Sequence, residues 1–421
     1  MRLTSLPSST MHRNRILSML LGCAVLVGLS EVCWSQATIN EGLETAAIYV
    51  DASKGSDSNN GSKNTPLKTI GASVGKAMAN NHASTGTRVI INPGTYRESV
   101  SISGDYRSTK LPITFQAATN GSVFISGADL MSGWTVSSQN PKIFQNNWPY
   151  RFGICAISGG NVPFEQEIML RAEMIIVNRM PLTQVLSLSS MLPGTFFIDD
   201  AHAMAYVYPP SGTNMSTATV EVATRPHMLE DDGQSYVVFR GLTFQYANSC
   251  HGNAAVVVGR KATNVLFDSD TFVWNNSTGL AFNAQYFTVQ NSVALHNGAL
   301  GFSSYHVKHD LWQNDVANYN NWRGAQGAFY TWDAGGAKWL LDHDGTYTNV
   351  TAAFNQGNGI AWDTDQQNLT LTGLVSANNI TNGIQIEKDE GPINLSKSYV
   401  CNNNLLGLNY RGGLSCAILK Q

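Results

Sequence analysis

Charge is what this 421-residue sequence has little of: 13% of its residues are charged, and 26 Lys and Arg nearly balance 29 Asp and Glu. No basic stripe runs through it, so nucleic acid is excluded as a partner. Long helical periodicity is scarce. No apolar run beyond the N-terminus could span a bilayer, which excludes stable membrane insertion. Cys-x-x-Cys is absent, so a structural zinc site has no ligand set to draw on. His306-x-x-His309-Asp310 groups metal-ligand types, and its simplest reading is a pair of turn histidines. What is abundant is glycine, at 38 residues. With so little helical pattern, that points to a β-rich, turn-rich chain, either two domains or one elongated repeat with an insertion.

The N-terminus reads as a signal peptide over residues 1–37. Arg13, Asn14 and Arg15 precede an apolar run from Ile16 to Leu29, and Ser35-Gln36-Ala37 offers small residues for cleavage, with the mature start near Thr38. The expected destination is secreted or periplasmic. Leu20-Leu21-Gly22-Cys23 is an acylation alternative, disfavoured because the apolar run continues past Cys23. Cys23 and Cys33 leave with the signal, and export permits disulfides among Cys155, Cys250, Cys401 and Cys416. Cys401 and Cys416 are favoured by their closeness in sequence, among three possible connectivities.

Residues 46–127 read as an N-terminal cap and first coils. Ile48-Tyr49-Val50-Asp51 is a strand. Thr65 is expected to cap a short helix with Pro66 at its first position and Leu67, Ile70, Val74 and Met78 as its apolar stripe, closing the open end of a sheet stack. Residues 128–230 break the rhythm and read as an inserted antiparallel β module. Residues 235–421 carry a repeat. Val237–Phe244 is echoed by Val265–Phe272, Phe287–Ala294, Asp310–Ala317, Leu369–Ser376 and Ile393–Val400. After each echo comes Asn, three residues, Gly, then an alternating strand: Asn275/Gly279, Asn297/Gly301, Asn355/Gly359, Asn379/Gly383 and Asn403/Gly407, with Asn321/Gly327 assigned to a coil with two extra residues. The Asn-to-Asn steps are 22, 24, 34, 24 and 24, the length of a three-sided solenoid turn with one long coil. Several asparagines also lie in glycosylation triplets, but their place at bends favours ladders that bond up and down a stack. The fold class is therefore all-β, a right-handed parallel β-helix with an inserted antiparallel β module and a short N-terminal capping helix.

That register predicts what lies together. In Gly359-Ile360-Ala361-Trp362-Asp363, Ile360 and Trp362 point inward and Ala361 and Asp363 outward. The same offset gives the column Asn283, Tyr305, Thr331, Asp363, Glu387, Arg411, and two residues on the column Asp333, Asp365, Asp389, taking Gly327 as the aligned glycine. Coils stack at about 4.8 Å, so Asp363 and Glu387 are expected about 5 Å apart. That spacing suits a retaining glycosidase in which one carboxylate attacks the anomeric carbon and the other protonates the leaving oxygen. Arg411 can restrain a carboxylate or a sugar hydroxyl, and Trp332, Trp322 and Tyr305 can stack on sugar rings. Three alternatives stand beside this reading. The acids are simply solvated; or Asp333, Asp363, Asp365 and Asp389 hold calcium in a polysaccharide lyase with Lys338, Lys388 or Arg411 as base; or the face binds glycan without catalysis. The expected partner in each functional case is a poly- or oligosaccharide, with no cofactor unless calcium.

The stretch Tyr49-Val-Asp-Ala, Gly55-Ser-Asp57, Pro66-Leu-Lys-Thr-Ile70 and Pro93-Gly-Thr-Tyr96 resembles the opening of secreted pectin-lyase-like β-helix proteins. The run Trp332-Asp333-Ala-Gly-Gly-Ala-Lys338, Gly359-Ile-Ala-Trp-Asp363 and Gly383-Ile-Gln-Ile-Glu387, with a β module inserted before Gly241-Leu-Thr-Phe244, is similar to β-helical glycoside hydrolases of family 120, the β-xylosidase family. The resemblance implies Asp363 as nucleophile, Glu387 as acid/base, and Asp333 near a sugar-holding position. Lys338, Asp365, Arg411, Trp332 and Tyr305 complete the expected substrate-binding set. Ala361 beside Asp363, and the charged Lys388-Asp389-Glu390 after Glu387, depart from that pattern and leave the substrate open.

Overall fold

Short strands separated by left-handed corners set the architecture. The computed structural model describes residues 36–104, 109–155 and 166–404, with backbone alone at 408–409 and 416–418. Corner after corner passes through a single residue of positive φ, often asparagine, as at Asn264, Asn291, Asn314, Asn349 and Asn368. A short polar side chain tolerates that backbone where a branched one would not. The corners fold the chain into three long sheets of ten, ten and nine strands. Their pairing is parallel throughout, apart from the antiparallel pairing of Cys416–Ile418 with Tyr399–Cys401. This is a right-handed parallel β-helix.

Inside, each coil contributes apolar residues that stack on the next. Phe115, Phe239 and Phe267 form one column at ring separations of 5.7 and 4.7 Å, and Trp339 stacks on Trp362 at 5.1 Å. At the corner after the second sheet, Asn275, Asn297, Asn320, Asn355, Asn379 and Asn403 form a buried ladder. Each Nδ2 donates to the Oδ1 one coil on, at 2.9, 3.0, 3.1, 3.0 and 2.9 Å. The expected ladder is present, with one correction: the long coil supplies Asn320, not Asn321.

The glycine of the motif follows from the ladder. A Cβ on Gly301 would lie 2.7 Å from the Gly336 carbonyl and 2.9 Å from Asn320 Nδ2; one on Gly336 would lie 2.5 Å from the Gly359 carbonyl and 2.8 Å from Asn355 Nδ2. The aligned glycine of the long coil is therefore Gly336. Leu300, Gly335 and Asn358 are in register, as are Tyr305, Leu340 and Asp363. The alignment on Gly327 is corrected, and Thr331 leaves the column to Leu340. The extra residues form a helix, Trp322–Gln326, and a loop, held where Asn321 Nδ2 donates to the Phe329 carbonyl at 2.7 Å. Gly327 packs instead on Met169, whose Cγ would lie 2.5 Å from an added Cβ.

The capping helix runs Ile70–His82, not from Pro66. Leu67 N donates to the Tyr49 carbonyl, which holds Pro66 and Leu67 extended, and Asp57 accepts from the amides of Lys68 and Thr69. Thr69 caps the helix and Glu98 accepts from Ile70 N and Gly71 N, satisfying the amides that a helix start leaves open.

Between Val123–Ser126 and Leu229–Asp231 the chain builds two further sheets, of four and five strands. The four-stranded sheet is antiparallel; the other is antiparallel except where Thr183–Val185 joins Thr195–Asp199. Their core is Trp148, Ile175, Val177, Phe196, Ile198, Val207 and Val222. The buried Arg323 of the long-coil helix joins this module to the solenoid, donating to Asn276 Oδ1, Gln184 Oε1 and the Glu173 carbonyl at 2.9, 2.9 and 2.7 Å. A disulfide joins Cys155 to Cys250, Cα–Cα 5.6 Å. Cys401 is disulfide-bonded as well, and strand pairing sets it opposite Cys416. Residues 1–35 of the signal peptide expected over 1–37, with its acylation site, and Arg411 lie outside the described residues. Among those described, no helix is long and apolar enough to cross a membrane.

Asn355→Ala should be costly, because it strips partners from Asn320 N, Asn320 Nδ2 and the Ala317 carbonyl, all buried. At about 1 kcal/mol or more per abandoned group, urea unfolding should show a loss of about 3 kcal/mol. A loss under about 1 kcal/mol would contradict a ladder that carries stability.

Candidate active site

The third sheet presents the acids. In the strand Asn358–Asp363, Ile360 and Trp362 are fully buried in the core while Ala361 and Asp363 belong to the outer rows. The adjacent strand Ile384–Glu387 pairs in register, Ala361 with Gln385 and Asp363 with Glu387. Neighbouring parallel strands lie about 4.8 Å apart, so the two acids leave the sheet side by side.

Each has its own partner. Lys338, one coil below and paired with Ala361, is itself buried and puts Nζ 3.0 Å from Asp363 Oδ2. The same Nζ donates to the Trp332 carbonyl at 2.6 Å and lies 5.2 Å from the Trp332 ring centre. Thr364 Oγ1 donates to Asp363 Oδ1 at 2.9 Å. Gln385 serves Glu387: its Oε1 accepts from Asn358 Nδ2 and Asn382 Nδ2 at 3.0 and 3.1 Å, so its Nε2 is turned to Glu387 Oε2, 2.8 Å away. Asp363 is thus held against a buried cation. Glu387 is 44% exposed, with only an amide and the loose Lys388, 3.8 Å away. Two carboxyls in such unlike surroundings can take unlike roles.

A third acid stands next to them. Both oxygens of Asp389 are covered and lack a hydrogen-bond partner of normal geometry. Burial first, then the charges of Asp363 and Glu387, push its carboxyl up to about 7, offset in part by the Gln366 amide. Asp365 differs. Gln367 Nε2 at 2.7 Å, and His343 Nε2 at 3.3 Å, hold its carboxyl below the usual range.

Of the expected residues, the structure brings Asp363, Glu387, Lys338 and Trp332 together. Asp333 is not in register with Asp365 and Asp389. It sits in the long-coil loop, 3.6 Å from His251 Nε2. Tyr305 is two coils from Asp363 in the same column, with the Arg260 guanidinium 5.9 Å from its ring centre. Trp322 packs against the module residues Ala128, Met174 and Ile176 rather than at the acids. Among the described residues, no three His, Cys, Asp or Glu side chains group so as to hold a metal. Three of the four acids suggested for calcium lie beside separate basic side chains, Asp363 3.0 Å from Lys338, Asp333 3.6 Å from His251 and Asp365 3.3 Å from His343, and Asp389 faces the Gln366 amide. His306, His309 and Asp310 also diverge, since Asp310 is buried and accepts from Trp312 Nε1, and His309 stacks on Tyr286. Gln385, Phe329 and His251 had no signal in the repeat; each reaches the site by strand pairing or by a loop from another coil.

No model of a known protein family matches the chain, and no curated protein matches it. Solved structures do. One described as XylC in complex with xylose aligns with 85% of this chain and 66% of its own, TM-score 0.65, at 13% identity. A second, described as a glycoside hydrolase, aligns with 84% of this chain and 87% of its own, TM-score 0.62, at 13% identity. The chain thus shares its parallel β-helix fold with these proteins.

Removing Lys338 should leave Asp363, whose side chain is 17% exposed, without its cation and with the Thr364 hydroxyl still donating to it. Lys338→Met is expected to cost about 3 kcal/mol at neutral pH. Lys388→Met, at an exposed pair, should stay within about 0.5 kcal/mol. Equal effects in urea titrations would contradict the paired geometry.

Asp389 carries a pH signature. Its folded carboxyl holds a proton that the unfolded chain gives up in the ordinary carboxylate range, so the stability it adds is whole below about pH 4 and is lost as pH rises through about 7. Asp231, also raised to about 7 by burial, adds a drift of the same sign. The comparison that isolates Asp389 is therefore Asp389→Asn against the parent. Relative to the parent, the variant should gain stability from about pH 4 to 7 and then level off. A difference independent of pH would refute the assignment.

Proposed function

We propose that this protein is a secreted, carbohydrate-active enzyme, a retaining glycoside hydrolase for which β-xylosides are the first substrates to test. The observation that supports it most is the in-register pairing of Asp363 with Glu387, one braced by Lys338 and the other by Gln385. Adjacent-strand spacing suits a pair in which one carboxylate is the nucleophile.

In this reading Asp363, ionised beside Lys338, attacks the anomeric carbon as the glycosidic C–O bond breaks, and Glu387 gives its proton to the departing oxygen. A covalent glycosyl ester on Asp363 results. Glu387, now a carboxylate, takes a proton from water. That water attacks the anomeric carbon, and the ester bond breaks to free Asp363 and a sugar of unchanged anomeric configuration. Trp332, 49% exposed beside Lys338, offers a ring face for sugar. Asp333, Asp365 and Tyr305 keep their assignment to substrate binding further along the outer face, and Arg411, outside the described residues, keeps it from the sequence register alone. The sequence features of residues 1–37 support export.

Asp363→Ala and Glu387→Ala should each lower hydrolysis of p-nitrophenyl β-xyloside by at least about a thousandfold. Azide should rescue both, giving the α-glycosyl azide with Asp363→Ala and the β-azide with Glu387→Ala. Full activity in either variant would sink the assignment.

A further inference from the structure

Cys250 lies in the loop between strands Leu242–Gln245 and Ala254–Val258, and its disulfide to Cys155 ties that loop to the inserted module, in the segment between its strands Phe144–Asn147 and Ile175–Val177. The next residue, His251, has a side chain only 8% exposed. Its ring meets Phe329 edge to face at 5.4 Å, and Phe329 meets Trp332 in the same way at 6.4 Å. Trp332 in turn gives its carbonyl to Lys338, which pairs with Asp363. A continuous wall therefore runs from His251 to the proposed nucleophile, built from a corner loop and the long-coil loop.

One atom in this wall is anomalous. His251 Nε2 is covered from solvent and has no hydrogen-bond partner; Asp333 Oδ2 stands 3.6 Å away, just beyond bonding reach. A covered polar nitrogen without a partner is costly, and catalytic contacts are often long in an unliganded protein and tighten on binding. A small movement of the Trp332–Asp333 turn closes this gap. The same movement resets the Trp332 carbonyl, and with it Lys338.

We infer that His251 is a positioning residue of this site: through Asp333 it sets the Trp332–Asp333 turn that forms the substrate-binding wall next to Lys338 and Asp363. It touches neither the scissile bond nor the two acids. The inference rests on the glycosidase reading above. His251 acts by donating a hydrogen bond from Nε2 to Asp333 in the closed state, so a side chain that keeps a donor at that point replaces it and one that lacks a donor does not.

The test measures kcat and KM on p-nitrophenyl β-xyloside and xylobiose for His251→Ala, His251→Gln, Asp333→Asn and the double variant His251→Ala/Asp333→Asn. His251→Ala should raise KM about tenfold and change kcat less than threefold, and His251→Gln should recover most of the loss. The double variant should be no worse than Asp333→Asn, since His251 works through that carboxylate. Independent, multiplying losses would overturn the inference, as would an unchanged KM in His251→Ala or no recovery in a folded His251→Gln. If the parent hydrolyses neither substrate but Glu387→Ala binds xylobiose, the same variants are compared for that affinity and the same pattern is required. Failure of the parent both to bind and to hydrolyse would overturn the glycosidase reading itself, a result distinct from an unmoved KM.

Discussion

The buried asparagine ladder is the constraint on which the rest of the molecule depends. Each amide bonds to the next coil and to a backbone carbonyl, and its bulk leaves no room for a side chain at the glycine that follows. A coil that slipped by one residue would bury its outer row and expose its core, while leaving buried amides unpaired. Ladder and glycine together fix where the strands of the third sheet begin from Thr278–Phe282 onward. That decides which residue of each coil stands on the outer row four positions after its glycine. Asp363 and Glu387 are neighbours because Asn355 and Asn379 are.

The same constraint explains how far the sequence could be read. The β-helix, the ladder, the inward Trp362 and the adjacency of Asp363 and Glu387 were all legible, because coils of 22 to 24 residues keep Asn and Gly four apart. The long coil was not. Between Asn320 and Gly336 the chain makes a helix and a loop, and Gly327 supplies a false match in between. Which glycine belongs to the ladder is a matter of what would fill the space of a Cβ, and sequence does not carry that. Thr331 was therefore placed in a position that Leu340 holds, and Asp333 in a column it does not join. Thr65-Pro66 imitates a helix start for a comparable reason: the pull of Tyr49 and Asp57 on that segment comes from elsewhere in the chain.

The irregular coil is also where the acidic row acquires its surroundings. Its helix is buried against the module through Arg323, and its loop returns over the sheet to give Lys338 the Trp332 carbonyl. Lys338 then meets Asp363, converting a row of acids into a pair with unlike electrostatics. The regular coils set the spacing of the carboxylates; the irregular one sets their difference. Asp389, with no cation beside it and a carboxyl raised to about 7, shows what a further acid next to this row becomes without such a cation.

The central claim is that register makes Asp363 and Glu387 a nucleophile and an acid/base. It is tested most directly by the stereochemistry of the first product, followed by proton NMR as a β-xyloside is hydrolysed. The account predicts that the β anomer of the free sugar appears first and the α anomer only by later mutarotation. Initial release of the α anomer would contradict it, because inversion requires a water between two more widely separated carboxylates.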